Sequence, residues 1–394
     1  MRKKHFKIAN DHLRDGDVGW FFRQAWKYLA IPLSRGLGRP LTGPILAGIV
    51  ITYRCNYRCI MCDLPLRAVE RKRAGLSGEF TPDEMRWLID DIARLRPSGL
   101  VFTGGEPFLR KDLLELADYA HSHGLYCSVS SNGSLIDAAL ADRIVTSGLS
   151  AIGISIDGST PELMEFSRGV RGSLDQASQA VVRIAEARQR RCSNISLTVA
   201  ACINRENIND VLNILQFVRE VGADALSFNV AMNIGLLKHA HQRAEQFSLQ
   251  RNQFDDAEKV MDELLRVKRE EGIIDGSAGF INLARHALRG EELPIPCFAS
   301  NCSVFVDCYG DVFPCIGWVD LNKSIGNVRQ ERLSRFWYSD KYQTIRGELD
   351  ACRACYFACQ MEWNLLYQPW AKLAGMIATV APGQEQPGVR PRTG

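Results

Sequence analysis

Cys55-Asn-Tyr-Arg-Cys59-Ile-Met-Cys62 places three thiols within eight residues. Thiolates that close in sequence can wrap one metal centre, but a structural zinc site would want a fourth protein ligand. A cubane 4Fe–4S cluster held by three cysteines keeps one iron open, the arrangement needed where a substrate must bind the metal directly. Seven more cysteines fall between Cys297 and Cys359, out of thirteen in the chain. Cys127, Cys192 and Cys202 lie in or beside predicted strands and read as buried small hydrophobes.

Other residues with usable chemistry stand where predicted strands end. Thr103-Gly104-Gly105-Glu106-Pro107 joins two glycines, which let a ligand approach the backbone, to an acid that can pair with an ammonium. Ser130-Ser131-Asn132-Gly133 and Ser155-Ile156-Asp157-Gly158 offer hydroxyl, amide and carboxylate groups, and they read equally as Asx-type turns. Arg168 suits a bidentate carboxylate clamp, with a solvated surface arginine as the alternative.

These groups need a scaffold. Short β-rich runs at 48–54, 99–105, 125–133, 151–158, 195–203 and 225–231 alternate with helical patterns. Six such repeats with near-continuously apolar strands imply a parallel sheet covered by helices, with reacting groups gathered at the strands' C-terminal ends. Residues 1–47 form a basic, aromatic extension in which Pro32, Gly36, Gly38 and Pro40 are expected to break any long helix. Residues 232–295 read as a linker with one amphipathic helix near 253–271, and residues 296–360 as a cysteine-rich unit. Residues 361–394 begin with Trp363, Leu366, Trp370 and Leu373 at helical spacing and end in a disordered tail. Forty-eight basic against forty-five acidic side chains argue against a nucleic-acid partner. With no signal peptide and no span of about 18 apolar residues, clustered thiols indicate a reduced, cytoplasmic, metal-binding protein.

The Cys-x3-Cys-x2-Cys triplet after strand one, in register with Gly-Gly-Glu-Pro after strand two, resembles the radical S-adenosylmethionine (radical SAM) superfamily. The resemblance implies an α/β fold, a partial (β/α)6 TIM-like barrel over residues 48–231. It implies that Cys55, Cys59 and Cys62 hold a 4Fe–4S cluster with an open iron site, and that Gly104, Gly105 and Glu106 meet the methionine amino group of S-adenosylmethionine. Ser130 and Asn132 would meet its ribose or carboxylate, Ser155 and Asp157 would face cofactor or substrate, and Arg168 would reach the carboxylate. Met61 stands where many members carry an aromatic residue near the adenine.

The second cysteine group is similar to the SPASM or twitch domains of that superfamily, small α+β units that carry at least one auxiliary 4Fe–4S cluster. Its landmarks are Cys302 or Cys297, Gly310, Cys315, Gly326-Asn327-Val328, Trp337 and Cys352-x2-Cys355. Cys302, Cys315, Cys352 and Cys355 are the expected ligands, Cys297 and Cys359 stay open as further ones, and a zinc ribbon is the competing reading of this segment. The family's chemistry would be reductive cleavage of S-adenosylmethionine to a 5′-deoxyadenosyl radical that removes hydrogen from a substrate C–H bond. An electron donor such as flavodoxin or ferredoxin is implied. A peptide is the leading substrate, a lipid or isoprenoid at a membrane surface the alternative, and a non-catalytic iron–sulfur electron carrier the reading from another class.

Overall fold

The computed structural model describes residues 18–76, 78–231, 248–320, 323–353, 356–358 and 360–369. The leader before residue 18, Cys355, Cys359, Trp370, Leu373 and the tail expected to be disordered lie outside them. After helix α1 (Val18–Leu37), six strands alternate with helices: β1 (Leu46–Thr52), β2 (Gly99–Gly104), β3 (Cys127–Ser131), β4 (Leu149–Ser155), β5 (Ser196–Ile203) and β6 (Ala225–Val230). All five pairings among them are parallel, in the order β6-β5-β4-β3-β2-β1. Intervening helices include α2 (Leu64–Arg73), α3 (Pro82–Arg94), α4 (Leu113–Ser122), α5 (Ala138–Thr146), α6 (Pro161–Arg168), α7 (Ser173–Arg190) and α8 (Val211–Val221).

Local chemistry sets these boundaries. Thr81 and Glu84 close a reciprocal capping box at the start of α3, with Pro82 at its first turn. Helices α6 and α8 stop on left-handed Gly169 and Gly222. Strand side chains alternate between two environments. Leu100, Phe102, Val129, Ile152, Ile154, Leu197, Val199, Leu226 and Phe228 are buried in the core with the covering helices. Ser128, Ser130, Gly153, Ser155, Thr198, Cys202, Ser227 and Asn229 take the less buried phase, facing the lumen. A Cβ on Gly153 would touch Thr198 Oγ1 and lie 3.9 Å from Ser130 Oγ, so this face is lined by small polar groups.

Two expectations fail. Helix α1 runs through Pro32 and Gly36 to Leu37. Tertiary anchors on both sides of Pro32, namely Lys27, Ile31 and Arg35, outweigh the lost N–H. The segment expected to hold one helix holds two, α9 (Phe254–Glu270) and α10 (Ala278–Leu288). Ser277 caps α10, whose Phe280 joins Phe228 and Tyr356 in an aromatic cluster.

The cysteine-rich unit continues the same sheet. Strand β7 (Ser303–Asp307) pairs in parallel with β1, Leu46 opposite Ser303 and Val50 opposite Asp307. It then turns at Gly310 (φ 92°) into antiparallel β8 (Asp311–Phe313) and β9 (Gly326–Asn327). Asp307 Oδ1 accepts from the backbone N–H of Tyr309 and Asp311, while Oδ2 accepts from the Tyr53 hydroxyl at 2.7 Å, joining the hairpin to the segment before Cys55. Trp337 is buried and donates to Thr42 O at 2.9 Å. Arg346 lies between the Trp337 and Tyr342 rings, 4.4 and 4.1 Å from their centroids.

Burial pushes the Asp307 carboxyl up from 3.8 to about 6. Between pH 4 and 6 the folded chain therefore keeps a proton that the unfolded chain releases, so this group's contribution to stability is greatest below pH 4 and declines as pH rises through 6. Asp307→Asn does not titrate. In urea melts the wild type's stability relative to the variant is expected to shrink by on the order of 2 kcal/mol from pH 4 to pH 7. A constant difference would refute the buried carboxyl.

Candidate functional site

The segment Tyr53–Cys62 leaves β1 at its C-terminal end and has no regular structure, so its backbone polar groups must find partners elsewhere. Two neighbours supply them. From the end of β2, Gly105 N donates to Thr52 O at 2.8 Å and Glu106 N to Arg54 O at 2.9 Å. From the other side, the last carbonyls of α6 accept from the loop, Arg58 N to Arg168 O at 3.3 Å and Ile60 N to Ser167 O at 3.1 Å. Both contacts exclude a side chain. A Cβ on Gly104 would lie 2.3 Å from Thr52 O, on Gly105 2.1 Å from Arg54 O, and on Gly169 2.3 Å from Arg58 O. The glycines thus admit the cysteine loop's own backbone, a use that motif reading assigned to a ligand.

Glu106 is fully buried and faces inward. Its carboxylate accepts from Ser131 Oγ (2.9 Å), Asn132 N (2.8 Å) and Phe108 N (3.1 Å), and burial raises its pKa. It organises the ends of β2 and β3. Asn132 is likewise engaged: Nδ2 donates to Asn56 Oδ1 at 2.9 Å and Oδ1 accepts from Ser134, a third tie to the cysteine loop. Ser130 and Ser155 sit on the lumen face.

Cys55, Cys59 and Cys62 are each partly exposed in this loop. Burial raises the thiol pKa of Cys55 and Cys59, which are close enough to influence one another. Arg168 Nη1 lies 3.9 Å from Cys59 Sγ. Its Nε lies 2.8 Å from Asp157 Oδ2, an ionic contact off the line of a hydrogen bond, so both buried atoms retain unused bonding capacity. Asp157 is fully buried, accepting from Cys202 N at 2.7 Å through Oδ1 and from Asn207 Nδ2 at 2.8 Å through its carbonyl. Among the described residues no three His, Cys, Asp or Glu side chains converge on a bare ion. A cubane does not require that, since the cluster itself spaces its cysteines. Three accessible thiols around a cationic group, with orphaned polar atoms beside them, fit an anionic iron–sulfur centre and a polar ligand.

At the other end of the sheet, Cys302 directly precedes β7 and packs with Ile31, Ile45, Phe298 and Tyr367. Its thiol donates to Phe298 O at 2.7 Å. Cys297 N donates to Cys352 O at 3.1 Å, and both residues are partly exposed, as is Cys315. The burial of Tyr342 brings it within reach of both Cys302 and Cys315. Cys308 is buried at the opposite end of β7, against Glu79, away from that group. Two isolated cysteines differ from expectation. Cys192 is exposed in a turn with φ 50°, and Cys202 faces the lumen beside Asp157, with burial raising its thiol to about 12. The alternation of Thr198, Ala200 and Cys202 along β5 carried that signal.

Glu106→Gln keeps an acceptor for Ser131 Oγ and Phe108 N but turns an amide N–H toward Asn132 N, an unsatisfied buried arrangement costing about 1–3 kcal/mol. The variant is expected to melt several degrees lower and, after anaerobic iron–sulfur reconstitution, to bind S-adenosylmethionine more weakly in equilibrium dialysis. Unchanged melting and binding would remove Glu106 from the scaffold.

A radical SAM superfamily model matches residues 49–218, and a SPASM model, described as an iron-sulfur cluster-binding domain, matches residues 297–356. The chain is 34% identical over 170 residues to an Fe-coproporphyrin III synthase from Methanosarcina barkeri, a match spanning 43% of this chain and 40% of that relative. It is 26% identical over 307 residues to an AdoMet-dependent heme synthase from Oleidesulfovibrio alaskensis, covering 74% of each. Among solved structures, Streptococcus suis SuiB bound to precursor peptide SuiA superposes with TM-score 0.62 at 16% identity, over 86% of this chain and 76% of that one. The anSMEcpe enzyme with bound AdoMet and a peptide gives TM-score 0.56 at 16% identity, over 86% and 100%. These two likenesses speak to the fold. With both domain models in chain order on one sheet, the protein belongs to the radical SAM superfamily and carries a C-terminal SPASM domain.

Proposed function

We propose that this enzyme cleaves S-adenosylmethionine at a 4Fe–4S cluster on Cys55, Cys59 and Cys62 and abstracts hydrogen from a substrate held in the barrel lumen. The observation that carries this reading is the three-sided clamp on the cysteine loop, with Arg168 at 3.9 Å from Cys59. When bound, the cluster and S-adenosylmethionine supply the electron and the 5′-deoxyadenosyl radical that removes the hydrogen atom. The chain's own residues position and shield. Gly104 and Gly105 keep their backbone against the loop, and Arg168 offers its spare N–H to a carboxylate. Glu106, Asn132 and Asp157 act from behind as positioning residues.

The lumen supports a substrate with hydrogen-bonding groups around the reacting carbon. Ser128, Ser130, Ser155, Thr198, Ser227 and Asn229 suit a peptide backbone better than a bare isoprenoid chain. A peptide is therefore the first reading. A tetrapyrrole is the second, because heme synthases match three quarters of the chain. The auxiliary thiols Cys297, Cys302, Cys315 and Cys352 sit about one strand length, ~20 Å, from the level of Cys55. That separation supports an electron-accepting role over direct contact with a substrate at the mouth. Flavodoxin or ferredoxin suits the donor's role.

Reconstituted protein reduced with dithionite is expected to release 5′-deoxyadenosine, and Cys59→Ala to release essentially none. No product from wild type, or equal product from the variant, leaves an electron-transfer protein instead. Deuterium carried into 5′-deoxyadenosine from a deuterated peptide supports the first substrate reading, and from deuterated iron coproporphyrin the second.

A further inference from the structure

Helix α1 turns Lys27, Ala30, Ile31 and Ser34 inward, so its buried side carries polar as well as apolar groups. Lys27, only 4% exposed, donates through Nζ to Pro44 O at 2.7 Å and to Arg96 O. Gln24 accepts from Ser98 Oγ at 2.6 Å, and Arg35 donates to Cys297 O at 2.7 Å. The other side carries Phe22, Trp26, Leu29, Leu33 and Leu37, which are 73%, 51%, 45%, 48% and 60% exposed. Their spacing of four, three, four and four aligns them in one stripe along a helix about 30 Å long. A surface helix in water ordinarily hides its longest apolar stripe. An uncovered stripe of this size marks a contact with something apolar.

The charge around the stripe selects the occupant. No Asp or Glu lies between Val18 and Leu37. The first forty residues hold nine Lys or Arg against three Asp, in a chain whose total is only +3, so the remainder is net acidic. A second copy would bring two such basic segments together, whereas an anionic bilayer complements them. Trp26, within the stripe, is an aromatic type that settles at the level of lipid headgroups.

We propose that the outward face of α1 docks the enzyme on an anionic lipid bilayer, the helix lying in the headgroup plane with Phe22, Trp26, Leu29, Leu33 and Leu37 inserted. Pro44, Ser98 and Cys302 each precede a strand, so α1 crosses the N-terminal ends of β1, β2 and β7. The cysteine loop leaves the opposite end. Docking therefore turns the mouth toward water: this surface anchors the enzyme and does not feed a lipid into the barrel. The inference goes beyond the reaction and is independent of which substrate is correct.

The test is flotation of the full-length reconstituted protein with vesicles of phosphatidylcholine alone and of phosphatidylcholine with phosphatidylglycerol. Wild type is expected to float with the anionic vesicles and less with the neutral ones. Trp26→Ser combined with Leu33→Ser is expected to lower partitioning about tenfold or more. Far-ultraviolet circular dichroism and 5′-deoxyadenosine release should stay at wild-type levels, since neither residue touches the site. The proposal is overturned if wild type floats with neither vesicle, or if the double variant floats as wild type does. It is overturned equally if light scattering finds a dimer that the variant dissociates, or if flotation appears only after residues 371–394 are deleted, which would assign the stripe to a second copy or to that segment.

Discussion

An irregular loop that must hold three thiols cannot satisfy its own backbone, and the architecture of the site follows from how that deficit is met. The carbonyls of Thr52 and Arg54 are taken up by the turn after β2, and the N–H groups of Arg58 and Ile60 by the frayed end of α6. A side-chain amide, Asn56, closes the third side against Asn132. Because the contacts are backbone to backbone at van der Waals range, only glycine fits at 104, 105 and 169. Gly-Gly-Glu-Pro and the cysteine triplet are thus two halves of one backbone structure, and Glu106 is the buried anion that fixes one half by accepting three hydrogen bonds.

The electrostatics of the mouth follow from this clamp. Burial disfavours thiolate at Cys55 and Cys59, and a nearby cation offsets part of that cost. Arg168 provides it from the same helix end whose carbonyls hold the loop, so the position of the charge and the path of the backbone are set together. Asp157 keeps the guanidinium from swinging out, and is itself held by the end of β5 through Cys202 N. Three strand ends, those of β1, β4 and β5, therefore converge on one cation, although each contributes a different kind of group.

The alternation of apolar strands with capped helices made the parallel sheet legible, and observed strand limits fall within about three residues of those read from the sequence. The cysteine triplet announced itself by spacing alone. What pattern could not carry was direction. Glu106 and Asn132 stand in the motifs expected of ligand-facing groups, and spacing alone does not show that Glu106 also accepts from Ser131 Oγ and Asn132 N, or that Asn132 donates to Asn56. Cys202 and Cys192 looked alike in sequence, but one faces the lumen on the open phase of β5 and the other is exposed in a turn. Helix α1 was hidden because Pro32 and Gly36 are local signals, while Lys27, Ile31 and Arg35 fix the helix through residues far along the chain.

The parallel pairing of β7 with β1 decides how the two sulfur-rich regions relate. Gly48 leaves room for the Phe305 ring, whose atoms would lie 2.2 Å from a Cβ there, and Tyr53 reaches Asp307, so the two strands are locked in register from end to end. In parallel register, a group that follows β1 and a group that precedes β7 must sit at opposite ends of the sheet. The triplet therefore opens to the lumen, while Cys302 lies beneath α1 among apolar side chains. A substrate that reaches the first region is kept from the second by the length of the strands between them. The helix that covers Cys302 turns an apolar face outward, so the same element that keeps water from that thiol is the one presented to the surroundings.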